Sequence, residues 1–294
     1  MGAATSTSNE GRAHFTYIWA IENGYSLTFG TILSSPVFIV NSLEMTKWSL
    51  GWYVFGSDIR LFLQREQENA GPEWIEIDYD LSFLGADGLP LIKNTGTFPF
   101  RKGFYSGFSK FAEKDEVFCL RRAEFLPRDV LTVRCRMWRK TNKTLKPHVC
   151  FARTRFGLDR HCFVWAIKDF SSLPLGYKTT RLLKSTSVGA SALILNFCLK
   201  EYGGKVCVSI DIERKDVTKI PGITGEIALL DGEGAVVHSE TICLNYFKRN
   251  MDLCRFVEKP KLLSSVNNLL PNDVLSLRCE FEIYYGPLWS GIEN

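Results

Sequence analysis

Apolar and polar residues alternate along several short stretches of the chain. In the segment 75–83 the apolar side chains fall on one face: Ile75, Ile77, Tyr79, Leu81 and Phe83. A period of two residues is typical of β-strands with one buried face. Turn residues bound such stretches at short intervals, as at Gly56-Ser57-Asp58 and Gly203-Gly204. The pattern predicts an all-β protein of antiparallel β-sandwiches, with one short helical turn near 262–268.

Two groups of residues occur twice along the chain. FTYIWAIEN and CFVWAIKDF align Trp19 with Trp165 at an offset of 146 residues (165 − 19). LPRDVLTVRCRMW and LPNDVLSLRCEFE align Pro127 with Pro271 at an offset of 144 residues (271 − 127). Nearly equal offsets at both ends predict two copies of one domain. The predicted organisation is a flexible leader, a first sandwich, a linker, a second sandwich and a tail, at 1–12, 13–140, 141–158, 159–286 and 287–294.

The composition is that of an ordinary globular chain. Its 294 residues are 45% hydrophobic and 23% charged, which provides enough apolar side chain for two cores. Lys+Arg 36 against Asp+Glu 32, without a long run of one sign, lacks the basic footprint of a nucleic-acid binder. No stretch approaches the roughly 20 apolar residues of a membrane span, and no secretory signal is present. We therefore expect no nucleic-acid partner, no membrane span and a cytoplasmic or nuclear location.

Candidate chemistry is sparse. The nine cysteines include no C-x-x-C pair, which favours reduced, packed thiols. His161-Cys162, and His148 with Cys150, lack the second pair of ligands that a zinc site needs. The histidines accompany no nucleophile elbow or phosphate-binding loop, so we expect no enzyme, no metal and no cofactor. The alternatives are a cysteine nucleophile paired with His161 and, in the leader, a myristoylated Gly2.

Five short motifs follow one another in the first copy. They are FxYxWxI from Phe15, SSPxF at 34–38, KWSL at 47–50, GFxKF at 107–111 and LPxDxLTxxC at 126–135. In this order they resemble a MATH domain, the meprin and TRAF homology fold, and in particular the speckle-type POZ proteins of arthropods. The second copy is similar in FVWAIKDF and NNLLPNDVLSLRCEFE. The resemblance implies two tandem eight-stranded antiparallel β-sandwiches of the TRAF-like type over nearly all of 15–285.

The resemblance also implies a binding function. Speckle-type POZ proteins capture short Ser/Thr-rich peptides with the MATH domain, and a following BTB domain dimerises and recruits a cullin-type ubiquitin ligase. No BTB domain occurs in this chain, which is either a MATH-only member or the amino-terminal part of a longer protein. We expect a monomer that recognises substrates for ubiquitin-dependent turnover. The alternative is a structural scaffold or decoy whose peptide grooves are degenerate.

The family's groove is aromatic and flanked by lysines. The positions that match it in the first copy are Phe62, Tyr79, Phe98, Phe108 and Lys110. Ser106 stands where the family has a tryptophan, and Phe104 and Tyr105 replace the lysine and aspartate before it. The loss of this tryptophan is expected to weaken binding by about 2 kcal/mol unless Phe104 or Tyr105 substitutes for it.

The second copy lacks this aromatic lining. Its expected groove equivalents are Ser209, Gly225, Met251 and Leu253. This copy is therefore interpreted as a spacer or as a reader of a different ligand. Five other aromatic residues are predicted to be core instead: Trp19, Trp48, Trp165, Phe111 and Phe256.

Overall fold

A computed structural model describes residues 13–24, 32–139, 146–184, 192–214, 222–244 and 250–293. The predicted leader 1–12, with Gly2, and residues 140–145 of the predicted linker lie outside the described residues. The chain divides into two compact units. Unit 1 comprises Met1–Arg155 and Trp289–Asn294, and unit 2 comprises Phe156–Leu288.

Unit 1 is built from strands whose alternating apolar residues bury one face. In the first strand every second residue is buried, from Phe15 to Ile21. The strands are β1 (Phe15–Glu22), β2 (Leu33–Ser34), β3 (Phe38–Val40), β4 (Thr46–Phe55), β5 (Asp58–Arg65), β6 (Trp74–Leu84), β7 (Pro90–Arg101), β8 (Tyr105–Glu113) and β9 (Val130–Trp138). Helical turns occupy Asn41–Leu43, Glu116–Leu120, α1 (Arg122–Phe125) and Pro127–Asp129.

Two sheets enclose the core of unit 1. One has the order β7-β6-β9-β1, and the other has the order β2-β4-β5-β8 with β3 also paired to β4. Aromatic rings join the two apolar faces, as where Trp48 of β4 meets Phe100 of β7 edge-on at 5.0 Å between ring centroids. The predicted core residues Trp19, Trp48 and Phe111 are buried, which confirms those three assignments.

The predicted linker is in part a strand. From His148 onward the chain forms β10 (His148–Ile167), and residues 148–155 pair with β1 in parallel, with Trp19 opposite Ala152. Three arginines in this segment hide its alternation, because Ala152 and Thr154 are its buried positions while the arginines point outward. The predicted tail is likewise extended, since the last strand continues to Glu293.

Unit 2 repeats the strand arrangement of unit 1. Its remaining strands are β11 (Lys178–Leu183), β12 (Leu193–Tyr202), β13 (Lys205–Arg214), β14 (Gly222–Leu230), β15 (Val236–Leu244), β16 (Asn250–Glu258) and β17 (Leu275–Glu293). One sheet has the order β15-β14-β17-β10 and the other β11-β12-β13-β16. Their apolar faces form one core that includes Trp165 and Phe256, as predicted. The antiparallel all-β sandwich predicted from the pattern is confirmed.

The helices of unit 2 are short. They are Phe170–Ser172, α2 (Lys259–Ser264), α3 (Val266–Leu269) and Pro271–Asp273. The last three cover the helical turn predicted near 262–268. Within the described ranges, no helix has both the length and the apolar character needed to cross a membrane.

Candidate functional site

Strand β8 forms one end of its sheet in unit 1. Within the described part of this unit it pairs with β5 alone, where Leu61 lies opposite Phe108 and Leu63 opposite Ser106. The other side of β8 is an open edge. Such an edge presents backbone N–H and C=O groups to which an extended segment can add as a further strand.

Strand β7 ends the other sheet of unit 1 but is a poorer template. It carries Pro99, which has no backbone N–H to donate. Proline is a common device that prevents a strand edge from pairing. The open edge best suited to an added segment is therefore β8.

Four of the predicted groove residues lie on the core-facing side of these two edges. The Tyr79 hydroxyl and the Ser106 hydroxyl are 3.0 Å apart, and the Tyr79 and Phe108 ring centroids are 6.1 Å apart. Phe98 packs edge-on against Phe100 at 5.0 Å. Tyr79 is buried, whereas Phe98, Ser106 and Phe108 are partly exposed. We call Tyr79, Phe98, Ser106 and Phe108 the edge groove.

A glycine leaves room for the floor of the edge groove. Gly96 of β7 lies opposite Tyr79 in the sheet, and a Cβ at this position would come within 3.2 Å of the Tyr79 hydroxyl. Burial raises the pKa of Tyr79 above its ordinary value, and the hydrogen bond with Ser106 opposes this only in part. The floor of the edge groove is therefore a neutral hydroxyl pair at physiological pH.

Phe62 does not belong to this groove. It lies opposite Gly107, one residue out of step with Ser106 and Phe108, so its side chain points to the other face of the sheet. There its ring lies 4.9 Å from that of Tyr105. The prediction of a single groove that includes Phe62 and Tyr105 is therefore wrong, because successive side chains of a strand alternate between faces.

Neither candidate substitute occupies the place of the family's tryptophan. Tyr105 lies against Phe62 on the outer face, and Phe104 lies near Arg101, whose guanidinium is 5.7 Å from the Phe104 ring centroid. Lys110 is exposed on β8. Ser106 thus leaves the end of the edge groove open.

The strand registers identify the equivalent positions in unit 2. Ile210 faces Leu253 as Leu61 faces Phe108, and Ile212 faces Met251 as Leu63 faces Ser106. Gly225 lies opposite Phe281 on β17, as Tyr79 lies opposite Met137 on β9. The open edge of unit 2 is therefore β16, and Leu253 and Met251 line it where unit 1 has Phe108 and Ser106.

Ser209 does not occupy the position of Phe62. The same registers place Asp211 there and place Ser209 at the position of Arg60. The reason is that the β5 segment lies at an offset of 149 residues (210 − 61) from its equivalent, so an alignment by the offset of the flanking motifs misses it by about two residues.

Charged side chains cover the outer face of this sheet in unit 2. Lys200 Nζ lies 2.9 Å from Asp211 Oδ1 and 3.4 Å from Asp252 Oδ2, and Ser209 donates to Asp252 Oδ1 at 2.8 Å. Burial alone would raise the pKa of Asp252, but hydrogen bonds from Cys254 and Ser209 and the charge of Lys200 hold it below its usual range. We call Lys200, Ser209, Asp211 and Asp252 the charged network.

A buried arginine that the sequence analysis did not single out supports the turn before β8. Arg65 is fully buried and donates to the carbonyl oxygens of Ala70, Pro72, Glu73 and Phe100. Its own backbone N–H donates to the carbonyl of Phe104. Arg214, also buried, ends β13 at the same place in unit 2. The signal in the sequence is an arginine that continues the apolar positions of LFLQR and SIDIER.

The one catalytic alternative does not assemble. His161 and Cys162 are consecutive residues of β10, so their side chains point to opposite faces. Cys162 faces an open cleft of about 470 Å³ on unit 2 together with Glu280, whose Oε1 lies 3.9 Å from the Cys162 Sγ. Among the residues the structure describes, no three His, Cys, Asp or Glu side chains are grouped to hold a metal ion.

Comparisons with known proteins give few matches. No model of a protein family matches the chain, and no curated protein matches it. Among solved structures, the chain is similar to TRAF5 of Notothenia coriiceps, with 16% sequence identity and a TM-score of 0.36. That match covers 44% of this chain and 76% of TRAF5.

Proposed function

We propose that the chain is a non-enzymatic protein-interaction module of the MATH type that binds short, extended segments of partner proteins along β8 of unit 1. The observation that carries this proposal is the open edge of β8 beside the partly exposed edge groove. Backbone pairing along an edge supplies affinity, and pockets beside it select alternate side chains of the added segment.

The lining of the edge groove favours Ser/Thr-rich segments. Phe98 and Phe108 offer apolar contact, and the paired hydroxyls of Tyr79 and Ser106 keep a free donor and free acceptors for a small polar side chain. A ligand serine or threonine has the complementary hydroxyl and little bulk. Lys110, exposed on the same strand, adds a cation at the rim.

The charged network favours a different role for unit 2. In unit 1 Phe62 and Gly107 lie opposite each other, and in unit 2 the same positions hold Asp211 and Asp252 bridged by Lys200. These side chains satisfy one another within the sheet, and no aromatic ring flanks β16 at Met251 or Leu253. The scaffold or spacer role proposed as an alternative for the whole chain therefore suits unit 2.

We place this binding function in ubiquitin-dependent turnover, in the cytoplasm or nucleus, on the strength of the sequence resemblance alone. In that role the chain is a monomeric substrate-recognition adaptor. Recruitment of a cullin-type ligase would depend on a BTB domain supplied elsewhere. Co-purification of a cullin with the chain from cells, lost when a BTB partner is depleted, tests this part of the proposal.

Peptide arrays test the proposed binding surface directly. The full chain is applied to arrays of Ser/Thr-rich and composition-scrambled peptides as wild type, Phe108→Ala and Tyr79→Phe. We expect selective binding that Phe108→Ala weakens by at least tenfold, because an aromatic anchor is lost. Tyr79→Phe removes only the hydroxyl and is expected to shift selection away from Ser/Thr.

Met251→Ala in unit 2 is the matched control, since Met251 occupies the position of Ser106. It is expected to leave the array pattern unchanged. Each variant is checked for folding by thermal denaturation. Binding to no peptide by folded wild type, or equal binding by wild type and Phe108→Ala, would show that the edge groove is not a ligand site.

A further inference from the structure

The outer face of the β4-β5-β8 sheet in unit 1 carries a strip of aromatic side chains. Phe62 and Tyr105 stack at 4.9 Å, and Tyr53 meets Phe62 edge-on at 6.4 Å between ring centroids. Phe55 and Tyr105, at the two ends, are 62% and 64% exposed. Water is left in contact with large apolar rings at both ends, which is typical of interaction surfaces rather than of solvated sheet faces.

The sheet beneath this strip is adapted to it. Phe62 leans across Gly51 of β4, where a Cβ would lie 2.1 Å from the ring carbon Cζ. A residue larger than glycine at position 51 would displace the ring. The close approach lets the rings of Phe62, Tyr53 and Tyr105 form a continuous surface across three strands.

A cation at one end of the strip lacks a carboxylate partner. The Arg60 guanidinium lies 4.3 Å from the ring centroid of Phe55 and 5.6 Å from that of Tyr53. It donates to the Tyr53 hydroxyl at 3.3 Å, and its Nε is buried without a hydrogen-bond partner among the described residues. Asp58 shares this face, but no described carboxylate forms an ion pair with Arg60.

Arg101 of the same unit shows what a completed site of this kind looks like. Its guanidinium also lies over two rings, at 5.9 Å from Trp74 and 5.7 Å from Phe104. In contrast to Arg60, it forms an ion pair with Glu73 at 2.7 Å. A stacked guanidinium still has donors free for a planar acceptor, and a carboxylate matches them.

We propose that this aromatic strip, formed by Tyr53, Phe55, Arg60, Phe62 and Tyr105, is a second binding surface of unit 1 that takes an extended acidic segment of a partner protein. Arg60 receives a carboxylate of the segment, and the Phe62–Tyr105 pair receives an apolar side chain. The inference rests on the proposed function in that the ligand is again a protein segment, but it uses the opposite face of the sheet and other residues.

The spacing of the two subsites predicts the ligand pattern. Arg60 and Phe62 are two residues apart on one strand, a separation of roughly 7 Å. An extended ligand covers the same distance with two of its own residues, and these point to the same side. The expected pattern is therefore an acidic residue, any residue, then an apolar residue, in one chain direction or the other.

A display library of random dodecapeptides tests the inference on the full chain. Wild type is expected to select the acidic–x–apolar pattern. Arg60→Gln is expected to lose the acidic preference and to bind a selected peptide roughly tenfold more weakly, while the apolar preference persists. Raising the ionic strength should weaken binding of that peptide to wild type more than to Arg60→Gln.

Arg101→Gln is the matched control, because it removes a stacked guanidinium that already has its own carboxylate. It is expected to change the affinity less than twofold. The inference is wrong if wild type shows no acidic–x–apolar preference, or if Arg60→Gln retains it. Peptides that depend on Phe108 but not on Arg60 would remove this inference and leave the proposed function intact. A folded chain that selects no peptide at all would contradict both.

Discussion

The outer faces of two equivalent sheets, β4-β5-β8 in unit 1 and β12-β13-β16 in unit 2, have opposite chemistry. The first holds the aromatic strip, and the second holds the charged network at the same register positions. Phe62 answers Asp211, and Arg60 answers Ser209. Because the backbone arrangement is shared, the fold leaves these outward positions free to differ, and the difference lies in what each face can bind.

The inward positions of the same strands do not differ in this way. Leu61 and Ile210 are both fully buried, as are Leu63 and Ile212, and each strand ends on a buried arginine. An apolar residue of similar volume fills each core position, because interiors tolerate little change in packing. The comparison separates residues that hold the fold from residues that carry a function.

The second sheet of each unit shows a further contrast on its outer face. In unit 1 Asp80 of β6 is buried and Arg136 of β9, directly opposite, donates to it at 2.8 Å. In unit 2 the equivalent positions, also opposite, hold Glu226 and Glu280. Like charges across a strand pair are unfavourable, whereas the Asp80–Arg136 pair contributes to the stability of unit 1.

Replacement of the buried arginine of unit 1 should have the largest effect on stability. We expect Arg65→Met to lower the free energy of unfolding of unit 1 by about 3 kcal/mol, because four carbonyl oxygens lose their donor. Arg65→Lys should recover little of this, since one ammonium cannot reach all four. Urea unfolding followed by tryptophan fluorescence measures the change. A loss below about 1 kcal/mol would show that the arginine is not part of the shared framework.

The Asp80–Arg136 pair should come next. Arg136→Leu leaves the buried Asp80 carboxylate without its cation and is expected to cost about 2–3 kcal/mol. The double variant Asp80→Leu/Arg136→Leu should regain most of it, since the unpaired charge is then gone. The same urea titration measures all three proteins. Equal stability of the single and double variants would contradict a charge-based origin of the loss.

The charged network should have a smaller effect that depends on pH. Because the pKa of Asp252 is below its unfolded value, the network contributes stability above about pH 4, and this is lost as the pH falls through that value. Lys200→Met should cost about 1 kcal/mol at neutral pH, since the lysine is partly solvated. Urea unfolding between acidic and neutral pH should show a flatter profile for the variant. An unchanged profile would mean that the network does not stabilise unit 2.

Two equivalent cysteines should show the smallest difference between the units. Cys135 and Cys279 occupy the same register position, opposite Leu81 and Ile227, and both are fully buried. Burial raises the pKa of Cys279 to about 12 and that of Cys135 well above its ordinary value. In native protein both should resist iodoacetamide while the exposed Cys119, Cys162, Cys243 and Cys254 react.

The same two thiols have a consequence at high pH. Because the folded-state pKa is raised, the stability that each thiol contributes is present below about pH 9 and is lost as the pH rises toward 12 for Cys279. Mass spectrometry of labelled peptides and urea unfolding across this range check both expectations. Rapid labelling of one thiol but not the other would break the equivalence of the two cores.

Much of the fold follows from local sequence patterns. Alternation at Ile75 to Phe83 places these side chains on a buried face, and the helical turn near Leu262 forms where predicted. The segment 148–155 does not follow from its sequence, because its arginines hide the alternation and its partner β1 lies far away along the chain. Such a pairing depends on tertiary contacts that a local pattern does not contain.

The candidate site divides in the same way. The sequence resemblance selects Tyr79, Phe98 and Phe108, and the structure brings these together with Ser106 beside an open edge. The resemblance also selects Phe62, which the register places on the other face. Tyr53, Phe55 and Arg60 escaped notice because isolated aromatic residues on a strand resemble ordinary core residues until the sheet shows which face they occupy.

The sequence by itself determined that this chain forms all-β units and which residues fill their cores, because the burial of alternate side chains is a local and periodic requirement. The tertiary structure alone decided which side chains share a surface. A shift of one residue in strand pairing moves every side chain to the opposite face. The edge groove, the aromatic strip and the charged network are therefore set by register rather than by residue type.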